Sequence, residues 1–391
     1  MGCIAGLMLT SLGGGRVAAS ETRPYRPAVL RLSFSNIEGD QNSFIDHTLI
    51  PPDGEPIGKR TGVNRTDFRN NLRAFYKQIS SMAPISVADA TEPARKMYNL
   101  LIGPLQEDLK RLGITTLLLS MDIELQSVPL AALHDGERWF GSSFAYSVTP
   151  SISLMPRVDS QPGNQTSKKL LVGTSKFENL SPLPLVKQEL KKISTISEST
   201  VAIDEEFDHE TLFSQANSED TNIIHLATHA EFIPGNPDKS RIFMRKGSFT
   251  MDELRQLRLS RQRYPLDLFT LSACRTAVGD SDSELGLAGL ALLAGAQSAI
   301  GTLWYVDDVA TSLFFVRFYT WLHQGVSKSE AMRHVRDEFI NQELTVQSGK
   351  VFDQKGETIL TGLTRRQEIK LQKGMNHPYF WAAPLLMGKP W

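Results

Sequence analysis

From Ile114 to Ile340 the chain alternates short, nearly uninterrupted apolar runs with helical segments, and this alternation limits the folds open to it. "ITTLLLSM" (114–121), "KKLLVGTSKF" (168–177), "TNIIHLATHA" (221–230), "PLDLFTLSAC" (265–274) and "SAIGTLWYVDD" (298–308) read as strands. "ARKMYNLLIGPLQEDLKRLG", "PLVKQELKKISTI", "GLAGLALLAGA" (286–296), "ATSLFFVRFYTWLHQG" and "SKSEAMRHVRDEFI" read as helices. Gly325 is placed to close the fourth of these, and Ser327 or Ser329 to cap the fifth. Strands that are apolar on both faces and separated by helices build a mainly parallel sheet covered on both sides. The expected class is α/β, with no internal repeat at a period of 20 to 50 residues.

Ahead of this region the pattern differs. "AVLRLSFSN" and "FIDHTLIPPDGEPIGKR" alternate apolar and polar residues, and Pro-Asp-Gly in the second is a turn signal, so strands joined by a loop or hairpin are expected. Phe68, Leu72, Phe75 and Ile79 are spaced for one face of a helix over 66–81, with Thr66-Asp67 at its start. "SMAPISVADATEP" reads as a linker. Residues 21–92 therefore read as a small N-terminal strand and helix segment, and 93–391 as the main domain. "DSQPGNQTSK" (159–168) reads as an exposed loop, and 231–250 and 341–375 as long loops.

Residues 1–20 combine an apolar run, Cys3 to Leu12, with the small segment Val17-Ala18-Ala19, as at a signal-peptide cleavage site, but no Lys or Arg precedes the run. They read as a leader or as a signal-peptide remnant. The expected location is cytoplasmic, or exported if the second reading holds. No other uncharged run approaches the ~20 residues that span a bilayer, so no transmembrane segment is expected. Lys and Arg total 42 against 43 Asp and Glu, leaving no charge excess to draw the chain to nucleic acid.

In open parallel α/β sheets, sites lie beyond the carboxyl ends of the strands. Three of the strands end at Ala227-Thr228-His229-Ala230, at Ser272-Ala273-Cys274-Arg275 and at Tyr305-Val306-Asp307-Asp308. If these strands are neighbours, His229 and Cys274 share a rim. A thiol beside an imidazole is a nucleophile with its acid–base partner, because the thiolate is the reactive form and the imidazole takes its proton. The same imidazole can later protonate a leaving amine. The backbone N–H groups of Ala230 and Cys274 are candidates for an oxyanion site. Taken singly, each residue also has an inert reading: Cys274 as a buried thiol and His229 as a hydrogen-bonded structural histidine. His225, flanked by Ile224 and Leu226 inside the strand, reads as a core residue. The His225-x-x-x-His229 spacing suits a metal only on a helix face, so no metal is expected there. With only Cys3 and Cys274 there is no disulfide framework.

"IIHLATHAEF" and, 45 positions later, "LFTLSACRTAVGD" resemble the two catalytic motifs of the CHAT domain, a caspase-like family of clan CD cysteine peptidases related to caspases, separase and gingipains. "YNLLIGPLQEDL", "VPLAALHDGERWF", "SVTPSISLM", "LVGTSKFENLSPLP", "ELGLAGLALLAGAQSAIGTLWYVDDVATSLFFVRFY" and "HPYFWAAPLLMG" follow the same pattern in order, over about 96–388. The resemblance implies a caspase-like sheet with helices on both faces. It implies His229 as the catalytic histidine, Cys274 as the nucleophile, and peptide-bond hydrolysis through a thioester without metal or organic cofactor. Ala230 stands where caspases have glycine. Family members often carry repeat helices that bind partners, and none is visible here. The implied partners are a protein or peptide substrate and an activating protein.

Such enzymes usually select the residue before the scissile bond with a charged pocket. Asp307, Asp308, Asp280, Asp282 and Glu284 are the acidic residues of this rim, and Trp304 is a candidate wall, so a preference for Lys or Arg is expected. Asp308 alternatively caps the helix that follows, Asp280 to Glu284 form a solvated loop, and Trp304 is a core aromatic. Against the endopeptidase stands a second reading, a catalytically silent scaffold or partner-binding module with the same fold. A third is a peptidase held inactive until a partner or a processing event orders 231–250 and 341–375.

Overall fold

The computed structural model describes residues 24–391 except 37–42, 150–167, 232–238, 251–252, 255, 258–260, 262–264, 273–294 and 305–306. Residues 1–20, most of the 159–168 loop and the apolar 286–296 segment, up to its last two residues, lie outside the described residues.

The chain opens with three strands, β1 (Pro27–Asn36), β2 (Ser43–Ile50) and β3 (Ile57–Val63), paired antiparallel. In β2 buried and half-buried positions alternate, the mark of a strand with one face on the core. The outermost strand β3 carries Lys59 and Arg60 and is largely exposed, and such charges discourage edge-to-edge pairing. Helix α1 (Arg65–Ser80) follows. Its cap is Asn64, not Thr66: the Asn64 side chain accepts the N–H groups of Thr66 and Asp67. Phe68, Phe75 and Ile79 are buried, as the spacing requires.

The single helix read over 94–113 is two, α2 (Pro93–Leu101) and α3 (Gln106–Arg111), separated by a tight turn at Gly103–Leu105. Pro104 is the cause, since it has no N–H to donate and disfavours the helical conformation at Gly103. Strand β4 (Thr116–Met121) leads to the short helices α4 (Ile123–Gln126) and α5 (Phe140–Ser143) and to β5 (Ala145–Thr149).

Then come β6 (Lys168–Gly173), α6 (Val186–Ser194), β7 (Ser199–Ile203), α7 (His209–Ala216) and β8 (Thr221–Ala227). The segment read as a loop over 231–250 carries three short strands, β9 (Ala230–Glu231), β10 (Arg241–Phe243) and β11 (Ser248–Thr250), joined in an antiparallel sheet. Strands β12 (Leu268–Ser272) and β13 (Ser298–Thr302) precede helices α8 (Asp308–His323) and α9 (Lys328–Ile340). Ser327 caps α9.

The second segment read as a loop, 341–375, holds the antiparallel strands β14 (Thr345–Gln347), β15 (Lys350–Phe352) and β16 (Thr358–Leu360) and helix α10 (Arg365–Gln372), which begins with a capping box between Thr364 and Gln367. It is tied to α6: Gln188 exchanges hydrogen bonds with the Thr361 backbone, and Lys192 donates to the Thr358 carbonyl. The last strand is β17 (Pro384–Gly388).

Eleven strands form one sheet in the order β3-β2-β1-β4-β5-β17-β13-β12-β8-β6-β7. Neighbours are parallel except at β3–β2, β2–β1 and β17–β13. The N-terminal strands thus continue the central sheet, with β1 pairing parallel to β4 over Pro27–Leu32. β8 sits between β12 and β6, and its burial shows cover on both faces. His225 meets α6 and α8 on one side, so Ile224 and Leu226 point to the other, and all three are buried. Helix α8 is apolar on nearly every side and buried over most of its length, as a helix enclosed by sheet and neighbouring helices must be.

Candidate active site

The site begins with register. Ala227 at the end of β8 pairs with Ser272 at the end of β12. His229 and Cys274 each follow in sequence by two residues, so the two chains leave the sheet from matched points. Cys274 and Asp280 lie outside the described residues, as do Asp282 and Glu284.

The Thr228 N–H donates to the Ser272 carbonyl at 3.2 Å, holding the two strand ends together beyond the last paired residues. On the other side, Gly173 ends β6 against β8. A Cβ there would lie 2.4 Å from the Ala227 carbonyl oxygen and 2.9 Å from Val186, so only glycine permits the approach.

His229 is half-buried. Its Nε2 lies 2.9 Å from the Ser181 carbonyl oxygen, and its ring packs on Phe177 with centroids 4.7 Å apart. A carbonyl only accepts, so Nε2 carries the hydrogen. Its own carbonyl accepts from the Phe243 N–H at 2.9 Å. That bond makes 229 and 243 a hydrogen-bonded pair, so the next pair, Ala230 with Ile242, is of the non-hydrogen-bonded kind. The Ala230 N–H therefore points away from β10. Ala230 is not among the residues with positive φ, so a side chain is tolerated where caspases have glycine.

Beneath the rim lies a buried polar chain. His225 Nε2 meets Glu189 Oε1 at 2.8 Å, the Ser312 hydroxyl donates to Glu189 Oε2 at 2.7 Å, and the Tyr319 hydroxyl lies 3.3 Å from both His225 Nδ1 and Thr270 Oγ1. His225 is fully buried within this network, the core role its place in the strand suggests.

Of the acidic rim, the two described residues, Asp307 and Asp308, are engaged. Asp307, rather than Asp308, caps α8 by accepting the Val309 N–H at 3.0 Å, and its other oxygen receives Lys370 at 2.8 Å. Asp308 accepts the Leu185 N–H at 3.3 Å. Burial and the nearby Glu189 carboxylate push its carboxyl up to about 7. Trp304 is only 3% exposed, edge-on to Tyr76 at 6.1 Å with its indole N–H toward the Tyr379 carbonyl, so it packs in the core. Sequence reasoning missed Ser181 and Phe177, both within the quoted "LVGTSKFENLSPLP". Ser181 acts through its backbone, which no residue type betrays.

The described residues hold no group of three or more His, Cys, Asp or Glu placed to bind a metal ion, and no described helix is long and apolar enough to cross a membrane.

A large, mainly parallel sheet, in which two parallel blocks meet antiparallel at β17 and β13, makes this an α/β protein of the caspase-like kind. Residues 91–389 match the CHAT domain, and the chain belongs to that family. No curated protein matches it. Among solved structures, a chain of the Saccharomyces cerevisiae separase–securin complex is similar at a TM-score of 0.50 and 11% identity, over 94% of this chain and 30% of that one. The Arg-specific cysteine proteinase gingipain R is similar at 0.39 and 10% identity, over 83% of this chain and 74% of its own. The complex of the pro- and mature domains of RgpB from Porphyromonas gingivalis gives 0.38 and 8% identity, over 83% of this chain and 76% of that one. This chain thus spans about a third of the length of the separase-complex chain it matches.

Proposed function

We propose that the protein is a cysteine endopeptidase in which Cys274 attacks a peptide carbonyl and His229 serves as its acid–base partner. The observation that carries this reading is the hydrogen bond from His229 Nε2 to the Ser181 carbonyl, at the strand end whose register partner leads to Cys274. With Nε2 committed to a carbonyl, Nδ1 is the nitrogen that takes the thiol proton. The Ser181 carbonyl also stabilises the imidazolium that results.

The thiolate adds to the carbonyl carbon, and the Ala230 and Cys274 N–H groups receive the oxyanion. The imidazolium then protonates the departing amine, leaving a thioester on Cys274. Water, deprotonated by His229, attacks the thioester and returns the thiol. No metal or organic cofactor enters this sequence.

A preference for Lys or Arg before the scissile bond falls chiefly to Asp280, Asp282 and Glu284. Lys370 already balances Asp307, and burial beside Glu189 disfavours the charged form of Asp308. An activating protein partner belongs to the same reading; the similar separase structure is itself a complex with securin.

The test is covalent capture. A peptidyl electrophile directed at thiols should label the wild-type protein at Cys274, label Cys274→Ala not at all, and label His229→Ala slowly. Labelling that ignores His229, or none in the presence of candidate partners, would leave the silent scaffold as the function.

A further inference from the structure

Nothing in the sequence points to Asp204, yet the structure concentrates interactions on it. Gly173 pairs with Ile203, so Asp204 leaves β7 beside Thr174 and Ser175 at the carboxyl end of β6. It is 3% exposed, and its backbone is left-handed at φ 56°, a conformation few residues other than glycine adopt. Such a residue persists where its surroundings over-determine it.

The surroundings do. Asp204 Oδ1 accepts the Ser175 N–H at 2.7 Å, the Ser175 hydroxyl at 3.0 Å and the Thr174 hydroxyl at 3.2 Å. Oδ2 accepts the Ser175 hydroxyl at 3.1 Å and the Lys187 ammonium at 2.7 Å. Burial alone would raise this carboxyl, but Lys187 and the Ser175 donors outweigh it and bring it down to about 2.

These partners flank one loop. Ser175 stands at its entry, and its carbonyl accepts the Leu183 N–H at 3.0 Å, which closes the neck. Lys187 lies in the first turn of α6, just after the exit. Between them the loop carries the two groups that hold His229, the Phe177 ring and the Ser181 carbonyl.

We propose that Asp204 is a positioning residue for His229: it ties the entry of the 175–183 loop at Ser175 to the first turn of α6 just beyond the exit, and the loop in turn fixes the tautomer and orientation of the imidazole. This rests on the reading of His229 as the acid–base residue, but its direct test does not require peptidase activity.

The experiment follows the histidine rings by long-range proton–nitrogen NMR in wild type, Asp204→Asn and Asp204→Ala, with His229→Gln to assign the signal. Wild type should show a single Nε2–H tautomer at His229. In both Asp204 variants that pattern should average toward the other tautomer. His225 should change less, since Tyr319 of α8 holds it in addition to Glu189 of α6. If the wild type cleaves peptides, kcat should fall about 10- to 100-fold in Asp204→Ala, with KM little changed, as expected of a misplaced catalytic group. Asp204→Asn keeps the shape and an acceptor for Ser175, so it decides the matter should the alanine variant not fold. A folded variant with the wild-type His229 pattern overturns the proposal, as does an equal change at His225. Wild type that cleaves nothing counts against the peptidase, and the ring signals then judge Asp204 alone.

Discussion

At the scale of single residues, the site is organised by groups that accept or refuse close approach. The Ser181 carbonyl can only accept, which fixes the hydrogen of His229 on Nε2. Gly173 lets the ends of β6 and β8 meet, and a methyl group there would strike the Ala227 carbonyl two residues before His229. Gly173→Ala should therefore destabilise the fold by about 1–3 kcal/mol, the range for overpacking, read from urea unfolding. It should also move the His229 ring signals. Asp308 gives a pH dependence. Its carboxyl lies near 7 in the folded chain against the ordinary value near 4, so the folded state binds the extra proton. Stability from this group is present at low pH and is lost as pH rises from about 4 through 7. Asp308→Asn removes the penalty, so its gain in melting temperature over wild type should be larger at pH 8 than at pH 5. Equal gains at both values would contradict the buried, proton-binding state. Of the site, sequence shows the two side chains whose chemistry is distinctive, His229 and Cys274. Ser181 acts through a backbone atom, Phe177 is an ordinary aromatic, and Asp204 becomes special only when β6 and β7 are side by side.

At the scale of elements, local signals were readable where the chain is strongly patterned. β4, β6, β8, β12 and β13 are continuous apolar runs, α1, α6 and α9 have clear spacing and ends, and α8 is a long apolar helix with clear ends. The antiparallel threes β9–β11 and β14–β16 were not readable, because strands of two or three residues leave no period to detect. β17 begins at Pro384 and has no alternation, so only its pairing with β13 and β5 defines it. Caps are legible to within a residue or two: Asn64 serves α1 where Thr66 was expected, and Asp307 serves α8 where Asp308 was an option. Asn64→Ala should cost about 1 kcal/mol of stability without affecting the His229 signals, since α1 lies outside the site. A larger loss, or a change at His229, would mean that α1 supports the site in a way its contacts do not reveal.

At the scale of the whole molecule, the order of strands gives the chain its character. One parallel block, β13-β12-β8-β6-β7, carries the candidate site, and the strand β17 joins it antiparallel to the block that begins at β1. The parallel α/β class follows from composition and alternation, but the junction does not, because neither strand direction nor neighbour order is written in any local pattern. A chain starting at residue 65 would lose β1 to β3 and bare the edge of β4, whose six residues are all buried. It should aggregate or associate, seen by size-exclusion chromatography, because an apolar edge recruits other strands. A monodisperse monomer would show that the N-terminal strands are an accessory.

The measurement that bears most directly on function is cleavage of a fluorogenic peptide library, varied at the residue before the scissile bond, by wild type and Cys274→Ala. Cleavage by wild type after Lys or Arg, abolished in Cys274→Ala, is the expected result. Cleavage that survives the loss of Cys274, or no cleavage by either protein, would contradict a cysteine peptidase built on His229 and Cys274.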